Sequence, residues 1–271
     1  MTGNCASLRA MKTLMHDGNL LHYRDDGPPA GRPVLLLNSL GTDLRVWDPL
    51  LPHLTADLRI IRHDKRGHGL SDAPQGPYTI AELSADAAAL LDNLSLRDMI
   101  VVGLSIGGLI AQHLAATRPD LVAGLVIMDS AAKIGTPEMW QDRIKTVTTD
   151  GLEAMAPAIL TRWFAPEFHR TQPAELALWR NMLCRTTVAG YAGCCAAIAS
   201  ADLTATTRVL TCPALVMVGS ADGATPPDLV QATAALMGAP CHVIDGAGHL
   251  PCVEAPEQVA RLINGFLDSL P

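Results

Sequence analysis

The stretch VVGLSIGGLIAQHLAATRPD, from Val101 to Asp120, decides the fold. A short apolar run leads into one serine, Ser105, and a helix-period run opens behind it with Gly107 and Gly108. Glycine weakens the interior of a strand or a helix, so three glycines around one serine need a reason. Met99–Leu104 reads as a strand and Ile106–Thr117 as a helix, which puts Ser105 at the sharp turn between them. Gly103-Leu104-Ser105-Ile106-Gly107 is G-x-S-x-G. A nucleophile in such a turn takes a strained backbone, and glycines two positions before and after it let strand and helix approach without Cβ clashes. The turn holds the hydroxyl at the carboxyl edge of a sheet, beside a helix N-terminus that favours negative charge. At average composition the motif alone occurs in roughly one in ten chains of this length. The strand-turn-helix setting makes it informative.

The same alternation runs outward on both sides. Lys12–His16 and Asn19–Tyr23 flank Asp17-Gly18, a hairpin signal. Pro33–Asn38, Leu58–His63, Leu121–Met128, Ala214–Gly219 and Cys241–Asp245 are short apolar runs, mostly without alternation, as in strands buried on both faces. Helical periods separate them at Ile80–Leu94, Pro227–Met237 and Pro256–Leu267. The sum is an α/β fold: an eight-stranded, mostly parallel sheet flanked by helices, with the opening hairpin as an antiparallel edge.

One region breaks the rhythm. From Ala131 to Thr206 only helical patterns appear, punctuated by Pro137, Pro157, Pro166 and Pro173. It holds Trp140, Trp163, Phe164, Phe168, Trp179 and Tyr191, out of four Trp, three Tyr and three Phe in the chain. The expectation is a helical lid insertion, residues 131–206, over a core made of 11–130 and 207–271, with 1–10 a loose tail and Met11 an alternative start. The aromatics either line a pocket or only anchor the insertion to the core.

A serine hydroxyl needs a base, and the base needs a third group to orient it. In this architecture both follow the serine in the chain. Asp222 stands in the loop after the Ala214–Gly219 strand, and His249 in the loop after Cys241–Asp245. All three reach the same edge of the sheet, where open α/β sheets bind ligands. Asp129, ending the strand before the insertion, is the rival acid. His242 is the rival base, but its place inside a strand predicts a buried side chain. Oxyanion donors are assigned by position to the backbone amides of Ile106, after the nucleophile, and Leu40, in the Asn38–Asp43 loop. In Arg62–Gly69 (RHDKRGHG), Asp64 and His68 resemble catalytic groups, but a turn with Asp64 and Arg66 tying down loops is the better reading.

The rest of the composition excludes more than it selects. The chain has 271 residues, 49% hydrophobic and 17% charged, ample for a core. Its net charge of −7 and lack of a Lys/Arg cluster argue against nucleic acid. No apolar run approaches a membrane span. No His/Cys/Asp/Glu set has metal-ligand spacing. Seven cysteines, an odd number without C-x-x-C, and an N-terminus without a signal-peptide core fit reduced thiols in a cytoplasmic protein. Nothing fixes the oligomeric state, and a homo-oligomer stays open.

On these residues the chain resembles an α/β-hydrolase, and more narrowly the 3-oxoadipate enol-lactonases. The fold-level likeness runs from Met11 to Leu270. The narrower one rests on NSLGTDLRVW (Asn38–Trp47), RGHGLSDAPQGPYTI (Arg66–Ile80), GLSIGGL (Gly103–Leu109), AAKIGTPEMWQDRI (Ala131–Ile144), RWF (Arg162–Phe164) and GYAGCCAAIASADL (Gly190–Leu203). GSADGATPP (Gly219–Pro227) departs from relatives that carry a longer or more acidic stretch there. The resemblance implies hydrolysis of a small lactone with a carboxylate arm, in aromatic catabolism by the β-ketoadipate pathway, through a Ser-His-Asp acyl-enzyme and without a cofactor or metal. It also implies an arginine for that carboxylate: Arg143 or Arg162 first, Arg180 or Arg185 less so, with Trp140 as a pocket wall. Other readings of the same fold are a carboxylesterase, a cofactor-free perhydrolase or haloperoxidase, and a carbon–carbon hydrolase. A non-catalytic small-molecule receptor is the reading from another class.

Overall fold

The computed structural model describes residues 11–270, so the Met1–Ala10 tail and Cys5 lie outside the described residues. Strands β1 (Lys12–His16), β2 (Asn19–Asp26), β3 (Arg32–Leu37), β4 (Leu58–His63), β5 (Met99–Leu104), β6 (Val122–Met128), β7 (Ala214–Gly219) and β8 (Cys241–Ile244) form one sheet in the order β1-β2-β4-β3-β5-β6-β7-β8. β2 is antiparallel to both β1 and β4, and every other neighbouring pair is parallel. The helices are α1 (Ile80–Asn93), α2 (Ile106–Thr117), α3 (Pro137–Trp163), α4 (Pro166–Thr171), α5 (Pro173–Cys184), α6 (Val188–Ala199), α7 (Thr204–Thr207), α8 (Pro227–Met237), α9 (Pro251–Glu254) and α10 (Pro256–Ser269).

Local chemistry sets the element ends. Asp17 (φ 47°) and Gly18 (φ 75°) both adopt positive φ, the two-residue turn that suits the twist of a hairpin. Thr79 and Glu82 close α1 with a reciprocal capping box. β5 lies between β3 and β6, and all six of its residues are buried, which accounts for its unbroken apolar sequence. β2 runs three residues past the expected Tyr23, because Arg24, Asp25 and Asp26 still pair with β4. Ionic contacts hold this polar end, with Arg59 Nε donating to Asp25 (2.9 Å) and Arg62 Nη2 to Asp26 (2.8 Å). Such a strand end carries no apolar signal.

One expectation is corrected here. His242 is exposed, not buried, because β8 is an edge strand with a neighbour on one side only.

Between β6 and β7 the chain is helical, α3 to α7. α3 is two helices joined at Gly151 (φ 78°, ψ 172°). Its second half ends at Trp163, whose carbonyl accepts the His249 N–H at 2.7 Å, so the helical region is fastened to the loop after β8. No single helix among the described residues is long and apolar enough to cross a membrane. The six described cysteines are free thiols.

Candidate active site

Ser105 sits between β5 and α2 with φ 57° and ψ −119°, a strained conformation for a residue with a side chain. The three glycines are explained by contact. A Cβ on Gly103 would lie 2.4 Å from the Gly107 carbonyl oxygen, one on Gly107 2.0 Å from that of Leu37, and one on Gly108 2.4 Å from Ser130 Oγ. The Ser105 carbonyl accepts from Ser130 Oγ (2.6 Å) and from the Gly108 N–H (2.8 Å). Carbonyl and following N–H point opposite ways across a trans peptide, so the Ile106 N–H is turned away from these partners. It also belongs to the first helical turn, whose N–H groups have no partner within the helix.

His249 and Asp222 meet from the loops after β8 and β7. His249 Nδ1 lies 2.9 Å from Asp222 Oδ2, and both side chains are buried. Thr225 Oγ1 donates to the same oxygen (2.6 Å), while the Ala224 and Thr225 amides donate to Oδ1 (2.7 and 3.0 Å). Burial alone would push this carboxyl upward, but the His249 charge and these hydrogen bonds hold it below its ordinary range. An ionised Asp222 fixes the proton on Nδ1 and leaves Nε2 free to accept.

Asp129, the rival acid, is close by. One oxygen each from Asp129 and Asp222 and a ring nitrogen of His249 lie within 4.8 Å of one another. Yet Asp129 Oδ1 accepts the Gly219 N–H at 2.9 Å and Oδ2 has no partner among the described residues. Burial, then repulsion from Asp222, pushes the Asp129 carboxyl well above its ordinary range. His249 Nδ1 bonds to Asp222, whereas Asp129 bonds to a backbone amide, so the geometry favours Asp222. This cluster is also a poor metal site, because four hydrogen bonds already fill the lone pairs of Asp222.

Ser105, His249 and Thr225 face a cavity of about 30 Å³ that Leu40, Trp140, Arg143 and Arg162 also line. Arg143 donates to Tyr191 Oη from Nε and Nη2 (2.9 and 2.6 Å) and lies over the Trp140 ring, 5.4 Å from its centroid. Arg162 Nε donates to the Gly223 carbonyl (2.8 Å). Burial, then the charge of Arg143, lowers the Arg162 pKa. Neither arginine pairs with a carboxylate among the described residues. A groove of about 400 Å³ on the outer side of α3 shares Met139, Arg143 and Arg162 with the inner cavity.

A model of the alpha/beta hydrolase family matches residues 34–262. The chain belongs to the alpha/beta hydrolase family. The 3-oxoadipate enol-lactonase 2 of Acinetobacter baylyi is 37% identical over 214 residues, 79% of this chain and 80% of the relative. The crystal structure of the enol-lactonase from Burkholderia xenovorans LB400 superposes with a TM-score of 0.92 at 36% identity, covering 95% of this chain and all of that one. A thermophilic esterase from Thermogutta terrifontis, solved with malate bound, gives 0.89 at 30% identity, covering 96% of this chain and 98% of the other. This hydrolase therefore acts on an ester or a lactone.

Other sequence candidates fall away from its cavity. Arg180 is paired with Glu153, and Arg185 lines surface grooves along α5. All six aromatics of the helical region are buried, but only Trp140 and Trp163 reach the cavity. Phe164 and Phe168 stack on each other, ring centroids 4.5 Å apart. Asp64 accepts from the Leu44 and Leu70 amides and lies 2.8 Å from His22 Nδ1, while Arg66 forks onto Asp86, so both tie down loops.

Reading the sequence missed Thr225, Ser39 and Lys65, and the bond from Arg143 to Tyr191. Ser39 Oγ is buried in the cavity wall with no partner among the described residues, an open donor beside Ser105. Its signal was the position of NSLGTD in the oxyanion loop. Tyr191 gave no local signal, because α6 carries it to Arg143 across 48 residues.

Proposed function

We propose that the protein hydrolyses 3-oxoadipate enol-lactone to 3-oxoadipate in aromatic catabolism. One observation carries this reading: two cationic side chains without carboxylate partners share a cavity with Ser105 and His249. A neutral ester would not need them. A lactone with an acetate arm presents a carboxylate that an arginine fork binds bidentately. The likeness to two enol-lactonases supports the same substrate. So does the esterase solved with malate, itself a dicarboxylate.

Ser105 Oγ passes its proton to His249 Nε2 and attacks the lactone carbonyl. The Leu40 and Ile106 amides receive the oxyanion. The ring C–O bond breaks, and His249 returns the proton as the enolate leaves and tautomerises to the ketone. A water then gives a proton to His249 and its oxygen to the acyl group, releasing 3-oxoadipate and the Ser105 hydroxyl. Asp222 holds the imidazole throughout, and Arg143 with Arg162 holds the arm while Trp140 walls the pocket. The free state of the six described thiols, three of them buried, supports a cytoplasmic setting.

The test is an assay on enol-lactone generated in situ, beside p-nitrophenyl acetate. The expected result is a kcat/KM for the lactone well above that for the ester. Equal or reversed preference would point to a general carboxylesterase.

A further inference from the structure

We infer that Lys65 is a positioning residue for the oxyanion hole: its ammonium, sealed beneath the Asn38–Asp43 loop, sets the Ser39–Leu40 peptide so that the Leu40 N–H faces the reaction cavity. The inference rests on the acyl-transfer reading above and adds to it a residue outside the triad.

Lys65 follows β4 and is buried to its tip. Its Nζ donates to the Ser39 carbonyl at 2.5 Å and to the Thr42 carbonyl at 3.2 Å. It makes no ion pair among the described residues. A buried ammonium without a counter-ion is costly, and an apolar chain of equal length would fill the same space without that cost. The charge therefore has to be explained by what it bonds to, and both of its hydrogen bonds go to this loop. Burial pulls its pKa down to about 8, so the cation is held against an unfavourable environment.

The direction follows from the peptide plane. The Ser39 carbonyl accepts from Lys65 and also from the Thr42 N–H (3.3 Å) and Thr42 Oγ1 (3.0 Å). With three donors on that oxygen, the antiparallel Leu40 N–H must point the other way. That way lies the cavity, which Leu40 and Ser105 both line. The Leu40 N–H has no acceptor among the described residues. The opposite donor, Ile106, is set by the same device, with Ser130 and Gly108 on the Ser105 carbonyl. A cation on the carbonyl side also polarises the peptide, making its N–H a stronger donor to a developing oxyanion. Neighbouring bonds keep the loop from turning over: Gly41 N–H to His68 Nε2 (2.9 Å) and Asn38 Nδ2 to the Thr42 carbonyl (2.5 Å).

The experiment compares Lys65→Met, Lys65→Gln and Ser105→Ala on the enol-lactone and on p-nitrophenyl acetate, with binding of phenylboronic acid, which forms a tetrahedral anionic adduct on an active serine. Deleting an oxyanion donor outright costs roughly 10²–10³-fold in kcat, and misdirecting one should cost about ten- to a hundredfold. Lys65→Met is expected to lose that much kcat on both substrates with KM nearly unchanged, and to lose boronate affinity in parallel. Lys65→Gln keeps a donor for the Ser39 carbonyl and should recover part of both losses. If Lys65→Met does not fold, Lys65→Gln against wild type carries the same test with a smaller loss. The inference is overturned if the folded variants keep wild-type kcat and boronate affinity, or if KM rises while kcat holds. Activity retained by Ser105→Ala would instead overturn the acyl-transfer reading itself.

Discussion

At Gly107 a single added carbon would sit 2.0 Å from a backbone oxygen of the neighbouring strand; at Gly151, in the middle of α3, nothing lies within 4 Å of the same position. The two glycines stand for two regions built differently. The turn around Ser105 is held by backbone against backbone, with Ser105 strained, its amide donating to the Met128 carbonyl and its own carbonyl accepting twice. The helical run from α3 to α7 meets the cavity through side chains, with Arg143 held by Tyr191 and Trp140, and Arg162 by one carbonyl. Main-chain atoms can be placed only one way once the sheet is formed. Side chains on an added helix can be exchanged without disturbing the sheet. On the proposed function, the chemistry falls to the first region and the choice of substrate to the second.

The largest expected effect tests that division at its centre. Ser105→Ala should fold and lose at least ~10⁴-fold in kcat on every ester or lactone tried. A purified variant with a few per cent of wild-type kcat/KM would move the nucleophile elsewhere. Asp222→Asn comes next, with a loss of about 10⁴-fold in kcat from the wrong histidine tautomer. Asp129→Asn should lose less than about tenfold, the size of one altered hydrogen bond. Measured kcat values in the reverse order would transfer the acid role to the end of β6.

The helical region should respond selectively. Arg143→Ala and Arg162→Ala are each expected to lower kcat/KM for the enol-lactone by about ten- to a hundredfold, the size of one or two charge-assisted bonds. Hydrolysis of p-nitrophenyl acetate should stay near wild type. Equal losses on both substrates would show that the arginines serve structure, and the division between the regions would blur. Gly151→Ala should destabilise by roughly 1–3 kcal/mol, because its φ and ψ lie where only glycine is at ease. Gly107→Ala should be worse, and the ranking is checked by urea midpoints.

The smallest effect lies on the seam. Glu254 accepts the Ala165 amide (2.9 Å) from the helical region and the Gly248 amide (2.7 Å) from the His249 loop. Burial, despite those two bonds, pushes its carboxyl up to about 7. A carboxyl raised on folding contributes stability below its ordinary value of 4.5, and that contribution is lost as pH rises through about 7. The wild-type melting temperature should thus fall between pH 5 and 8, and Glu254→Gln should flatten that slope. An unchanged slope in the variant would assign the pH dependence to another group.

Much of this molecule is legible as text. Apolar runs of five to eight residues separated by helical periods specify a parallel sheet, since only strands covered on both faces can be apolar throughout. The Asp17-Gly18 turn and the glycines around Ser105 announce themselves, because few other residues tolerate those positions. What stayed hidden has a common cause. The polar end of β2 is a strand because β4 lies beside it, and His242 is exposed because β8 has no outer neighbour. Neither fact is local.

The sequence by itself determined the fold, the place of Ser105 between strand and helix, and the loops that carry Asp222 and His249, because those depend on periodicity and on backbone geometry, which are written residue by residue. Only the tertiary structure showed which carboxyl, Asp222 or Asp129, bonds to His249, which of six aromatics face the cavity, and what Lys65 is bonded to. Each of those depends on which groups share a buried volume. In such a volume the loss of water makes every unpaired charge and every hydrogen bond count, and no spacing along the chain records it.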